Sequence, residues 1–116
     1  MNLFKKISRR INELVVVQRE RNASLRLGKI VDLSSGNKAP AMVVIAMPGC
    51  VHLTLCCFAN LPADRRVVVI ANCCSEYEVE ILSSFDVDVY ETEAFKMPHG
   101  RVVEALLLAS KEPFWL

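Results

Sequence analysis

The chain contains neither Gly-x-Gly-x-x-Gly nor Gly-x-x-x-x-Gly-Lys-Ser/Thr. Both motifs wrap backbone N–H groups around phosphate, so the common dinucleotide-binding and P-loop readings lose their support. Cys-x-x-Cys is missing too, and the vicinal pairs Cys56-Cys57 and Cys73-Cys74 lack metal-ligand spacing. With Cys50 they make five cysteines, an odd number, several of them in apolar runs. That is unlike a disulfide framework and fits a reducing compartment, the cytoplasm. Inert thiols, buried or half-buried, are the expectation. A secretory leader is not expected, because Leu14–Val17 is too short an apolar run and Gln18-Arg19-Glu20-Arg21 follows it.

Charge is missing from one long stretch. No Lys, Arg, Asp or Glu occurs from Ala39 to Ala63. A charge-free apolar run of that length raises the question of a membrane span. Pro48-Gly49 cuts it in two, and Pro40, His52, Thr54, Asn60 and Pro62 make it a poor spanning helix. A strand, a turn and a helix in an α/β core explain it better.

Elsewhere charge is plentiful and uneven. Residues 1–38 carry nine basic and three acidic side chains, a balance of +6; the remainder carries five basic and ten acidic, a balance of −5. This divides the chain into a basic helical arm and linker, 1–38, and an acidic α/β body, 39–116. The arm either docks on the body or meets an anionic partner. Leu3, Phe4, Ile7, Ile11, Leu14 and Val15 recur at helical spacing, with Lys5, Lys6, Arg9, Arg10 and Glu13 on the other face, so a helix is predicted over 3–22. Such a helix either packs on the domain or lies on a membrane surface. Residues 23–41 read as a poorly patterned connection, with a loop at Ser34-Ser35-Gly36-Asn37 and a short strand or helical turn at Lys29–Leu33.

The body is organised around Met42–Met47, a short apolar run closed by Pro48-Gly49. That pattern predicts a central strand buried on both faces. A helix is expected over Cys50–Asn60, stopping before Pro62. A β-branched strand follows at Arg66–Ala71. Ser75 is placed to cap a helix running to about Ser84, with Glu76, Glu78 and Glu80 near its positive end. A third strand at Val87–Glu91, a helix over Gly100–Ser110 after Pro98, a turn at Lys111-Glu112-Pro113 and a strand beginning at Phe114-Trp115-Leu116 complete the pattern. Alternating strands and helices with short connections imply an α/β fold. We expect an open, mostly parallel Rossmann-like sheet of about four strands in a three-layer α/β/α arrangement, preceded by the amphipathic helix.

In such a sheet the loops at the strand carboxyl ends hold ligands. Here they are Met47-Pro48-Gly49-Cys50, Asn72-Cys73-Cys74-Ser75 and Met97-Pro98-His99-Gly100-Arg101. Gly100 and Arg101 open a helix, whose free N–H groups favour an anion, and Arg101 could grip a phosphate. The structural alternative is that Gly100 relaxes the turn and Arg101 pairs with a nearby carboxylate. Cys50, at a helix start, could serve as a nucleophile or redox thiol. His52 is read as a core or surface histidine, and no metal site is built on it. Asp86, Asp88, Glu91 and Glu93 are read as a solvated edge strand.

Ala46-Met47-Pro48-Gly49, Val67–Asn72, and His99-Gly100-Arg101 running through Ala109-Ser110 into Phe114-Trp115-Leu116 carry a resemblance. Over residues 41–116 the chain resembles the nucleotide-binding half of family 2-like glycosyltransferases of the GT-A fold. The resemblance implies strand order 3-2-1-4 and a crevice between the first and fourth strands. It implies that Pro48 and Gly49 line the base of a nucleotide-sugar, Asn72 lies near base or ribose, and Gly100 and Arg101 lie near the phosphates. The family often has Asp where Ala71-Asn72 stand. Its Asp-x-Asp motif, which holds Mn or Mg, would follow Leu116. No cofactor is therefore expected for this chain, and no catalytic residue is assigned. A truncated, catalytically inactive glycosyltransferase portion is the leading expectation. The alternative is a non-catalytic interaction module whose residues 1–22 dock on a membrane surface or a partner protein. Expected partners are thus a nucleotide-sugar, a membrane surface, and a second copy through the uncovered C-terminal strand, with no nucleic acid. A cytoplasmic protein, peripheral to the membrane, fits both readings.

Overall fold

A computed structural model describes residues 2–36, 39–60, 64–110 and 114–116. The order is α1 (Leu3–Ile30), β1 (Ala39–Ala46), α2 (Val51–Phe58), β2 (Arg65–Ala71), α3 (Glu76–Ser83), β3 (Asp88–Glu91), α4 (His99–Ala109) and β4 (Phe114–Trp115). The fold is α/β, with all four strands parallel in the order β3-β2-β1-β4. The helix stop expected at Pro62, the turn at Lys111–Pro113 and the end of the loop at Asn37 lie outside the described residues.

The two sheet faces follow from side-chain alternation. Val43, Val68 and Ile70 point to one face, where they meet Ala23 and Leu27 of α1, Val102, Ala105 and Leu106 of α4, and the buried Met97. Ala46, Val69 and Ala71 point to the other, against Val51 and Phe58 of α2 and Leu82 of α3. Phe58 and Phe85 meet edge to face, with ring centroids 5.1 Å apart. The chain winds outward from β1 to β3 with α2 and α3 on one face, then returns to β4 with α4 on the other. The strand order therefore reverses between β1 and β4.

β2 is the fully buried strand, from Val67 to Ala71, whereas β1 is buried only at Ala41, Val43 and Ala46. The expectation that β1 is covered on both faces is thus met in part. α2 is short and turns Val51, Thr54 and Phe58 inward, which leaves Met42 and Val44 half-buried. Its outward positions carry Cys56 and Cys57. These two and Cys50 are exposed, a correction to the expectation of covered thiols that only the half-buried Cys73 and Cys74 meet.

The first helix is longer than its pattern suggests. It continues through the stretch read as a linker and ends at Ile30, where the Val31 N–H still reaches the Leu27 carbonyl at 3.0 Å. Residues 23–28 look unpatterned because the contact they make selects small side chains. Ala23 and Ser24 are buried, and a Cβ on Gly28 would lie 3.1 Å from the Ala105 carbonyl oxygen of α4. The Ser24 hydroxyl donates to the Arg101 carbonyl at 2.9 Å. Arg19 stacks over Phe95 at 4.3 Å and Arg26 pairs with Glu93 at 2.5 Å, tying α1 to the connection between β3 and α4. At the amino end of the sheet, Arg66 pairs with Asp88 at 2.6 Å and donates to the Asp32 and Ser34 carbonyls. The acidic strand read as solvated is indeed the sheet edge, and Asp88 has this partner. Among the described residues no helix is long and apolar enough to cross a membrane.

Candidate functional site

Three connections leave the carboxyl ends of β1, β2 and β3, and two side chains bind them into one rim. The first is Asn72, fully buried at the end of β2. Its own N–H continues the ladder to the Ala46 carbonyl at 2.9 Å. Its carboxamide donates to the Met97 carbonyl at 2.8 Å and accepts from the Met97 N–H at 2.9 Å. The amide nitrogen also approaches the Met47 sulfur at 3.8 Å. Thr92 completes the group: its hydroxyl accepts from the Cys73 N–H at 2.8 Å and donates to Ala71 O or Asn72 Oδ1, at 3.4 and 3.3 Å. Asn72 thus stands in for a strand neighbour of Met97, and it positions the residues that open α4.

The second is Glu78. Ser75 caps α3 as expected, and the capping box is complete: the Glu78 N–H donates to Ser75 Oγ at 3.2 Å and the Ser75 N–H to Glu78 Oε1 at 2.9 Å. The other carboxylate oxygen, Oε2, accepts from the Gly49 N–H at 3.0 Å. Gly49 has φ +76°, a conformation in which a side chain is strained. One carboxylate therefore holds the turn after β1 against the start of α3. The N–H donors of Ser75 and then Gly49 lower the Glu78 carboxyl pKa below its usual value. Beside it the Cys74 thiol is pushed up to about 11, first by burial and then by Glu78, Cys73 and Glu91. Cys73 sits in the left-handed region at φ +58°.

The residues singled out from sequence separate into different roles. Pro48 and Gly49 are exposed at the turn after β1. Gly100 is exposed at the start of α4, with open space around it. Arg101 folds back along its own helix and pairs with Glu104 at 2.7 Å, the structural alternative weighed above. Asn72 spends its carboxamide on Met97. Cys50 takes the N-cap position of α2, as expected, but its side chain makes no capping bond.

A groove runs along the side of β1 that faces β4. The ladder between β1 and β4 ends at Met42 and Trp115, so among the described residues β1 has no strand beside Val43–Ala46 on that side. The space there, about 540 Å³, has a mainly apolar floor of Met42, Val44 and Ile45. Trp115 and Cys57 wall it, with Arg65 at the amino end of β2 and His99 at the start of α4. Among the described residues Arg65 Nε is buried without a hydrogen-bond partner. The resemblance implied a crevice between the first and fourth strands; its walls, Cys57, Arg65, His99 and Trp115, come from segments distant in the chain.

Among the described residues no three His, Cys, Asp or Glu side chains gather closely enough to hold a metal ion. The side chains present do not fit the divalent cation that the resemblance implies for full-length relatives, and no step is derived through one. No family model, no curated protein and no solved structure matches the chain.

Proposed function

We propose that this chain is the nucleotide-sugar-binding portion of a glycosyltransferase of the GT-A type, and that the donor lies at the rim formed by the connections after β1, β2 and β3. The observation that carries the reading is the reversal of strand order between β1 and β4. In open α/β sheets ligands bind outside the carboxyl ends of the strands at such a switch point. Pro48, Gly49 and Gly100 keep the roles the resemblance implies at the rim. Arg101 reaches a diphosphate by leaving Glu104, and Asn72 acts at one remove by holding Met97 and the start of α4 in place. The reading is one of binding; no residue is assigned to turnover.

Trp115 is the chain's one tryptophan and stands beside Met42 of β1, so its fluorescence reports on the junction of β1 and β4. Titration with UDP, GDP, UDP-sugars and GDP-sugars should change it with one nucleotide class. The same ligand, at a hundredfold over its dissociation constant, should add about 2.7 kcal/mol to the unfolding free energy. Arg101→Ala should weaken that binding while Lys96→Ala leaves it unchanged. A folded chain that answers to none of these nucleotides overturns the proposal.

A further inference from the structure

α1 is 28 residues long, about 42 Å from end to end, and apart from the Arg19 stack on Phe95 only its last third is built into the domain. Its buried residues are Ala23, Ser24 and Leu27. The apolar stripe lies earlier: Leu3, Phe4, Ile7, Ile11, Leu14 and Val15 are between 50% and 81% exposed. Leu27 is sixteen residues beyond Ile11, which places it roughly 160° round the helix axis from the stripe. The helix therefore docks on its own domain by one face and presents its apolar stripe on the opposite face. A straight helix held this way cannot turn the stripe onto the α/β body.

Charge is sorted by the same geometry. Glu20, nine residues and two and a half turns past Ile11, is diametrically opposite it. Glu13 is also on the far side and pairs there with Arg9 at 3.4 Å. Lys5, Lys6, Arg10 and Arg21 belong to no ion pair among the described residues. Arg10 and Arg21 lie along one margin of the stripe, and Lys5 and Lys6 stand at the free end on stems long enough to reach round it. One margin of the stripe thus carries the unpaired charges of Arg10 and Arg21, with both carboxylates of this segment turned away.

We propose that residues 3–21 are a docking surface for an anionic lipid bilayer, with α1 lying in the plane of the interface and the α/β body held on its aqueous side. This goes beyond the nucleotide-sugar reading and does not rest on it. An apolar stripe set among basic residues is what an interfacial helix requires, and each basic residue near an anionic leaflet adds attraction. A second copy fits less well. The Phe4, Ile7, Ile11, Leu14 seam spans two heptads and then meets Gln18 and Arg21, where a paired coil needs three or four heptads. Arg10 beside the seam has no acid to meet on an identical helix.

The test uses the full chain in flotation with phosphatidylcholine–phosphatidylserine vesicles and with phosphatidylcholine vesicles alone. Wild type should float with the anionic vesicles, and added salt should weaken the binding. Ile7→Asp with Ile11→Asp should reduce partitioning at least about tenfold. Lys5→Gln, Lys6→Gln and Arg10→Gln together should cut binding to anionic vesicles about a hundredfold. Leu53→Asp, at an exposed apolar position on α2, should leave binding unchanged. Cooperative melting and circular dichroism establish that each variant is folded. The proposal is overturned if the folded wild type ignores anionic vesicles, or if the stripe and charge variants bind them as wild type does. A dimer that dissociates with Ile7→Asp and Ile11→Asp, in a chain without vesicle binding, overturns it in favour of self-association.

Discussion

Asn72 closes both ends of its carboxamide on the backbone of a single residue, Met97, with bonds of 2.8 and 2.9 Å. Both residues are fully buried. Replacing Asn72 with Ala leaves the Met97 N–H and carbonyl enclosed without partners. Each such loss costs about 1–3 kcal/mol, so Asn72→Ala should lower the unfolding free energy by roughly 2–4 kcal/mol. Urea denaturation followed by circular dichroism measures it. A loss under about 0.5 kcal/mol, the scale of an ordinary surface substitution, would show that the β3–α4 connection does not depend on this side chain.

Glu78 makes a different kind of link, since its two oxygens serve two loops. Glu78→Gln retains an acceptor for Ser75 but offers Gly49 an amide nitrogen, so it separates the clamp from the cap. The folded carboxyl pKa is lowered from 4.5. The stability it confers is therefore present above that pH and lost as pH falls through the folded value. Wild type should be more stable than Glu78→Gln at neutral pH, and the gap between their urea midpoints should narrow below pH 4.5. A gap independent of pH would remove the carboxylate from the account.

The five thiols divide by exposure. With its pKa pushed up to about 11, Cys74 carries about one thiolate per thousand at pH 8. Alkylation of the native chain with iodoacetamide should modify Cys50, Cys56 and Cys57 first and Cys74 last, as mapped by peptide mass. Because the folded pKa lies above the ordinary thiol value of 9.0, the protonated thiol favours the fold below pH 9, and that contribution fades as pH rises toward 11. Cys74→Ala should show a weaker alkaline loss of stability than wild type.

Gly28 lies where α1 packs tightly on α4. A Cβ there meets the Ala105 carbonyl oxygen at 3.1 Å and Leu108 Cβ at 3.3 Å, and a backbone oxygen in mid-helix does not yield easily. Gly28→Val forces the helices apart and should cost about 1–3 kcal/mol. Thermal unfolding monitors the loss. A Gly28→Val protein as stable as wild type would mean that the α1–α4 contact is looser than its geometry.

The alternation of apolar strand and amphipathic helix was legible because it is written in nearest neighbours. β-branched runs such as Val67–Ile70 and a cap such as Ser75 depend on residues within a turn of one another. The last eight residues of α1, 23–30, were not legible as helix, since Ala23, Ser24 and Gly28 are small in order to let α4 approach, and small residues without that partner look like a linker. The fates of the candidate ligand residues were hidden for the same reason. Asn72 and Arg101 are polar residues at loop ends, and nothing local announces that one is committed to Met97 and the other to Glu104.

By itself the sequence determined the α/β class, the succession of elements, the cap of α3 and the apolar stripe of α1 with a basic face beside it. These rest on periodicity and short-range hydrogen bonding, which any segment carries with it. The tertiary structure decided which face of α1 docks and which polar groups are used up in holding loops together. Those outcomes depend on burial between segments tens of residues apart. Whether a polar or apolar side chain is free to meet a partner depends on what the fold has already placed against it.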